Sequence, residues 1–203
     1  MNPKSIFCIA ALCLLLTNCV FAQYISIGPT IGLHHSWVTV SLADDDKRII
    51  FPRFDIGGSV VYSDKSHIGF GADVLYNQQG SGIKYNGDKF RFKTSYLQIP
   101  LRIIYFLGEY GQNMRPKIFL GPTLGFLLSA KSEGFDVKDQ TKSFDAGLHV
   151  GAGLNFKVAS GIWLNTDITY SQGFIDVTKD VAGNSDNNLN GSVGINVGLL
   201  WGK

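Results

Sequence analysis

The sequence predicts an all-β protein: an eight-stranded antiparallel up-and-down transmembrane β-barrel that follows a cleaved N-terminal signal peptide. Apolar residues alternate with small or polar residues along most of the chain, which is the period of a β-strand. No long segment repeats its apolar residues at helical spacing, and long and short connections alternate between the strands. Two segments follow, a signal peptide at 1–22 and one outer-membrane barrel domain at 23–203.

The first 22 residues have the layout of a secretory signal peptide. Lys4 supplies a basic start, and residues 6–16 form an apolar run that is too short to span a bilayer as a helix. Val20 and Ala22 then place small residues at positions −3 and −1 of a cleavage site. We therefore expect the chain to be exported.

A lipoprotein signal that ends at Cys19 is the alternative, but Asn18 occupies a position where a small residue is wanted. Cys8 and Cys13 also lie in the segment that is removed, so the exported chain has no cysteine. Its stability cannot come from disulfides.

Eight strands follow from the alternation. The first runs from Tyr24 to about Val40, with Ile25, Ile27, Ile31 and Leu33 on its apolar face. The apolar faces of the other seven are the alternate residues from Phe54 to Tyr62, Ile68 to Tyr76, Leu97 to Tyr105, Ile118 to Phe126, Phe144 to Val158, Ile162 to Tyr170 and Val193 to Trp201.

Two irregularities are expected within these strands. The alternation loses its phase at 34–37, which predicts a β-bulge there. Pro29, Pro100 and Pro122 lie inside strands and have no amide hydrogen to donate, so we expect bulges or strand ends at these prolines.

The connections alternate in length. Three are short, at 63–66, 108–113 and 159–161. The four long ones are 41–52, 78–91, 130–141 and 175–188. All long loops therefore fall at one end of the barrel, and both termini fall at the other end with the short turns, which is the outer-membrane pattern.

The choice between a soluble and a membrane barrel depends on which face meets water. A soluble barrel buries its apolar face, whereas a transmembrane barrel turns that face to lipid. Here the polar face is rich in glycine and poor in charge, as a narrow lumen filled by side chains requires. Apolar faces of about nine residues match strands that cross a bilayer at about 45°.

Aromatic residues mark both ends of the apolar faces, as the girdles of a membrane barrel do. The short-turn girdle contains Tyr62, Tyr105, Phe156 and Trp201, together with Tyr24. The long-loop girdle contains Phe54, Tyr76, Phe126 and Tyr170, together with Phe144.

Several stretches resemble the PorT-like outer-membrane β-barrel family of Bacteroides-type Gram-negative bacteria. They are Tyr-Leu-Gln-Ile-Pro-Leu at 96–101, Phe-Leu-Gly-Pro-Thr-Leu-Gly-Phe-Leu-Leu at 119–128, Asp-Ala-Gly at 145–147 and Gly-Ala-Gly-Leu at 151–154. The resemblance covers nearly all of the exported chain. It implies an eight-stranded barrel in the outer membrane and a link to protein secretion, and it carries no catalytic motif.

We expect no catalytic residue, metal or cofactor. His34 and His35 are adjacent on a strand and point to opposite faces, so they are poorly placed to share a metal. Asp44–Asp46 are expected to be a solvated acidic loop, with a weak Ca²⁺ site as the alternative. An acyl hydrolase needs a Ser–His–acid set, and His149 with Asp145 or Asp167 has no evident serine beside it.

Polar residues of the lumen form the candidate site. It comprises Asp73, Arg102, Asp167, Asp145, His149 and Lys117. Asp73, Arg102 and Asp167 each lie about six residues from a short turn and therefore at a similar depth. A lone charge in a narrow lumen is unfavourable, so we expect Arg102 to pair with Asp73 or Asp167 and to plug the barrel. A general porin is then excluded, because eight strands leave no open channel.

The balance of basic and acidic residues excludes a further class of function. The chain has 18 Lys and Arg against 16 Asp and Glu, so it lacks the basic excess of a nucleic-acid-binding protein. We expect a closed, non-enzymatic outer-membrane barrel that contacts outer-membrane lipid and a protein partner through its four long loops. The alternatives are a lipid-modifying enzyme of the outer membrane and a soluble, lipocalin-like periplasmic carrier.

Overall fold

The computed structural model describes residues 24–39, 47–85, 88–179 and 188–202. The expected signal peptide and Asp44–Asp46 lie outside these residues. The strands, in chain order, are β1 (Ile25–Val38), β2 (Lys47–Ile49), β3 (Pro52–Ser63), β4 (Ile68–Tyr85), β5 (Asp88–Phe106), β6 (Met114–Ser132), β7 (Phe135–Asp136), β8 (Phe144–Ala159), β9 (Ile162–Gly173) and β10 (Asn190–Gly202). Across the described ranges, no helix has the length and apolar character needed to cross a membrane.

Eight long antiparallel strands close into a barrel. Each pairs with the next long strand along the chain, from β1 with β3 to β9 with β10. The first and last strands then pair with each other, from Ser26 opposite Gly202 to Val38 opposite Asn190. The predicted fold is confirmed, and closure leaves none of these eight strands with an unpaired edge in lipid.

The apolar faces point outward. Leu33, Leu120 and Ile168 are among the large apolar side chains that the barrel exposes, whereas Asp73 and Arg102 are buried inside. A soluble carrier would have the reverse arrangement, with an apolar interior and a polar exterior. The carrier alternative is therefore wrong.

The bulge expected at 34–37 is absent. The ladder of β1 with β10 keeps one register from Thr30 to Val38, with His34 and Ser36 buried and His35 and Trp37 facing outward. The alternation is masked in the sequence because inward and outward positions both carry polar or aromatic groups here. Among the described pairings, the register shifts instead after Ser95 in β5 and after Lys157 in β8.

The three prolines lie within strands and not at bulges or strand ends, which corrects the expectation. Each interrupts the ladder on one side only. Pro29 keeps its pairing with Gly58 of β3, but the β1–β10 pairs are missing between Ile27 and Thr30. The same one-sided gap occurs at Pro100, towards β4, and at Pro122, towards β5. A strand residue donates its amide to one neighbour only, so a proline removes one bond of the barrel.

The second long loop is mostly strand. Residues 78–91 were expected to be a connection, but β4 and β5 continue their pairing from Gln78 opposite Ser95 to Tyr85 opposite Asp88. The other long connections contain β2, β7 and a short 3-10 turn at Lys138–Gln140. The alternation fades in this hairpin because residues 79–82 of β4 are buried on both faces, whereas residues 88–91 of β5 are all exposed.

Asp64 closes the first short turn. Its carboxylate accepts hydrogen bonds from the amide of Ser66, at 2.7 Å, and from the hydroxyl of Ser66, at 2.5 Å. The hydroxyl and the amide of Ser66 hold the pKa of Asp64 below its usual value. In another short turn, Gly161 adopts a φ of 71°, which glycine tolerates best.

A single charge tests the assignment of the outer face. We expect Leu120→Arg, at a mid-barrel position that is 56% exposed, to lower the free energy of unfolding by about 2–4 kcal/mol. Met114→Arg, at a strand end that is 50% exposed, should lower it by about 0–1 kcal/mol because the guanidinium reaches the interface. Denaturant unfolding in lipid vesicles measures both, and equal effects would contradict the assignment.

Candidate functional site

A layer of four charged side chains crosses the middle of the lumen. Arg102 Nη2 lies 2.5 Å from Asp73 Oδ1, and Arg102 Nη1 lies 3.6 Å from Asp167 Oδ2. Lys117 Nζ lies 3.0 Å from Asp167 Oδ1. All four side chains are buried, and two positive charges balance two negative ones. The distances match the expected pairing of Arg102, which contacts both carboxylates.

Glycines on neighbouring strands make room for this layer. Gly71 is opposite Arg102 in the β4–β5 ladder, and a Cβ at Gly71 would lie 3.0 Å from Arg102 Nε. Gly153 is opposite Asp167 in the β8–β9 ladder, where a Cβ would collide with the carboxylate. The glycine-rich inner face therefore holds the long charged side chains of adjacent strands.

An apolar layer lies beneath the charged layer, towards the short turns. It consists of the buried side chains Val61, Ile104, Phe106, Phe119 and Leu200. Sequence reasoning missed this layer because it assigned the inner face to small and polar residues. The available signal was the loss of alternation in Ile103-Ile104-Tyr105-Phe106, where both faces are apolar.

Arg115 covers the short-turn side of the apolar layer. Its guanidinium carbon lies 4.1 Å from the centre of the Phe106 ring, a cation–π arrangement, and its Nη1 donates to Ser63 Oγ at 2.8 Å. A cavity of about 180 Å³ opens at this end, and Val61 and Leu200 contribute to its lining. The cavity therefore ends on the apolar layer.

Two hydrogen-bonded clusters fill the long-loop half of the lumen. In one, His34 Nδ1 lies 3.2 Å from Asp55 Oδ2, and Asn196 Nδ2 donates to Asp55 Oδ1 at 2.9 Å. In the other, Asn190 Nδ2 donates to Asp145 Oδ2 at 2.7 Å. Asp145 was predicted within one cluster with Arg102, and the structure instead places it with Asn190.

His149 has a serine partner that the sequence did not reveal. Its Nδ1 lies 2.7 Å from Ser171 Oγ, because the two residues are opposite each other in the β8–β9 ladder. The expectation that no serine lies beside His149 is therefore wrong. The imidazole also stacks on Phe119, with ring centres 5.5 Å apart. No carboxylate of the described residues lies within ion-pair distance of His149.

The predicted girdle residues on the strands occupy outward positions at both ends of the barrel. Tyr24 precedes β1 and contacts Tyr62, with ring centres 6.2 Å apart. Several are in contact: ring centres are 6.2 Å apart for Phe54 and Tyr76 and 5.5 Å apart for Phe126 and Phe144. Trp37, which the sequence did not assign, joins the long-loop girdle at 6.2 Å from Tyr170. The remaining predicted members, all on outward strand positions, are Tyr62, Tyr105, Phe156 and Trp201.

The sequence model of a known protein family matches residues 21–179. The chain belongs to the outer membrane protein beta-barrel domain family. The match covers most of the barrel, and the closed fold with its apolar exterior agrees with it. The protein is therefore a small eight-stranded barrel of the outer membrane.

Solved outer-membrane barrels share the fold. OprG from Pseudomonas aeruginosa is 12% identical with a TM-score of 0.54, and the alignment covers 87% of this chain and 93% of OprG. Neisserial surface protein A is 17% identical with a TM-score of 0.52, covering 86% and 96%. At these identities the likeness shows the fold alone. No curated protein sequence matches significantly.

A double-mutant cycle tests the charged layer. We expect Arg102→Met to lower the free energy of unfolding by about 3–5 kcal/mol, because it leaves Asp73 without its cation. Asp73→Asn combined with Arg102→Met should lower it by less than the sum of the two single effects, since no carboxylate is then unpaired at this position. Denaturant unfolding in vesicles measures the three variants, and strict additivity would show that the pair is not coupled.

Proposed function

We propose that this protein is a closed, non-catalytic outer-membrane barrel that acts by binding at its long-loop end. The observation that carries the proposal is the filled lumen, in which the charged layer rests on the apolar layer. Ions and solutes would have to break paired charges and then pass a layer of apolar side chains. The functional surface is therefore the part of the barrel that extends above the membrane.

The internal cavities support this proposal. The cavity that borders Asp73, Arg102 and His149 measures about 30 Å³, and the one that borders Gln98 and Asp145 measures about 10 Å³. Such volumes hold about one water molecule each. Neither accommodates a substrate or forms part of a continuous pore.

The PorT-like resemblance extends the proposal towards protein secretion. We propose a protein partner that docks on the long-loop end, while outer-membrane lipid surrounds the apolar band. The long β4–β5 and β5–β6 hairpins favour such a role, because their pairing continues past the aromatic girdle to Asp88 and Ser132. They offer a rigid surface, and binding residues commonly lie on loops held by a rigid scaffold.

Conductance tests the closed lumen. We expect the folded mature chain to give no stepwise current in a planar bilayer in which a general porin conducts, because both lumen layers are closed. A heat-modifiable band on a gel confirms that the inserted protein is folded. Stepwise currents whose ion selectivity changes in the Asp73→Asn variant would show that ions pass the charged layer, and would contradict the proposal.

Lipid analysis tests the absence of catalysis. Ser171 and His149 resemble part of a hydrolase set, but His149 borders the cavity of about 30 Å³, Ser171 borders the one of about 10 Å³, and the pair lacks a carboxylate partner among the described residues. We expect mass spectra of outer-membrane lipids to be the same with and without the protein. A product that disappears in both Ser171→Ala and His149→Ala, but persists in the control Ser192→Ala, would instead establish an enzyme.

A further inference from the structure

A basic pocket lies outside the lumen clusters, at the long-loop end of β3 to β6. It measures about 200 Å³ and is lined by Arg53, Lys93 and Lys131 together with Ser95 and Ser129. We call it the loop-end pocket. Its lining contains three cations and three hydroxyl groups that can donate hydrogen bonds, those of Thr94, Ser95 and Ser129, and no carboxylate of the described residues.

Arg53 is the unusual member of the pocket. Only 8% of the residue is exposed, yet its Nε and Nη2 atoms have no hydrogen-bond partner among the described residues. Its guanidinium carbon lies 3.6 Å from the centre of the Phe51 ring, which supports one face of the group. Arg102 and Lys117 are also buried, and both contact carboxylates. Arg115 is buried as well, and it donates to the carbonyl of Gly108 and the hydroxyl of Ser63. A buried guanidinium without an anion is unfavourable.

Positive charge is concentrated around Arg53. Lys93 and Lys131 are directly opposite each other in the β5–β6 ladder, where like charges are destabilising. The guanidinium carbon of Arg91 lies 5.9 Å from the centre of the Phe51 ring, and Lys93 Nζ lies 6.0 Å from it. No described carboxylate forms a salt bridge with any of these four cations, and that of Glu133 instead accepts the backbone amide of Arg91.

The pocket lies at the level of lipid headgroups. Tyr76 of the long-loop girdle donates its hydroxyl to Ser95 Oγ at 2.9 Å, so the girdle and the pocket are in contact. Lys93 is four residues beyond Leu97, the partner of Tyr76 in the ladder, which is roughly 10 Å further from the membrane centre on a tilted strand. Girdle aromatics mark the interface, so the cations face the headgroup region of the outer leaflet.

We propose that the loop-end pocket binds the phosphate group of an outer-leaflet lipid. A phosphate monoester carries nearly two negative charges at neutral pH, which suits a group of three cations better than a single carboxylate does. The guanidinium of Arg53 lines the pocket and can donate charge-assisted hydrogen bonds to phosphate oxygens, and Ser95 and Ser129 in the same lining are further donors. The proposal goes beyond the closed-barrel function and does not depend on it, because it rests on the surroundings of Arg53.

Lipid binding to the purified mature protein in neutral detergent tests the proposal. The probe is a diglucosamine lipid that carries two phosphates, compared with the same lipid after enzymatic dephosphorylation. We expect the phosphorylated lipid to bind at least about tenfold more tightly, and Arg53→Met to weaken it by about tenfold or more, since charge-assisted hydrogen bonds are lost. Lys89→Met is the matched control, because Lys89 is an exposed cation on β5 outside the pocket.

The remaining outcomes separate the sources of phosphate. Equal binding of the dephosphorylated lipid, or equal weakening by Lys89→Met, would overturn the site. Inorganic phosphate that binds as tightly as the lipid would overturn the lipid as its source. Binding that appears only after Asp44, Asp45 and Asp46 are changed to Asn would show that acids of the chain itself fill the pocket. A heat-modifiable band for each variant confirms that the barrel is folded.

Discussion

Each backbone amide and carbonyl that faces hydrocarbon must find its hydrogen-bond partner within the protein, and most features of this barrel follow from that constraint. Closure of β1 on β10 supplies the partners for the first and last strands. Eight strands are the fewest in the usual range for outer-membrane barrels, so the lumen is narrow and must be filled by side chains. Even the prolines are accommodated locally, because each removes hydrogen bonding on one side of its strand while the other ladder holds it in register.

The charged layer and the apolar layer fill the lumen through different interactions. At mid-depth, Arg102 and Lys117 are balanced by Asp73 and Asp167, so that no charge of this layer is left without a partner. Towards the short turns, apolar side chains around Phe106 and Phe119 fill the space that glycines leave on adjacent strands. Ionic and apolar contacts thus close the same passage, and each excludes water by a different physical means.

The features that depend on the strand period and on the positions of charged residues could be predicted from the sequence. Those that depend on which residues face each other across neighbouring strands could not. Alternation identified the outward face, and the equal spacing of Asp73, Arg102 and Asp167 from their turns was enough to predict an ion pair. The partnership of His149 with Ser171 depends on the register between β8 and β9, which no local pattern reports. Arg53 was missed for the same reason: its lack of a partner is a property of the strands around it.

The charged layer also limits the order of events during membrane assembly. In the closed barrel, Asn196 of β10 donates a hydrogen bond to Asp55 of β3, across the junction between β1 and β10. While β1 and β10 are apart, these two side chains and part of the charged layer would be open to the hydrocarbon. Exposing ionised groups to lipid is far less favourable than exposing them to water. Membrane insertion and the pairing of β1 with β10 must therefore be concerted, or a protein machine must shield the inner face until these two strands pair.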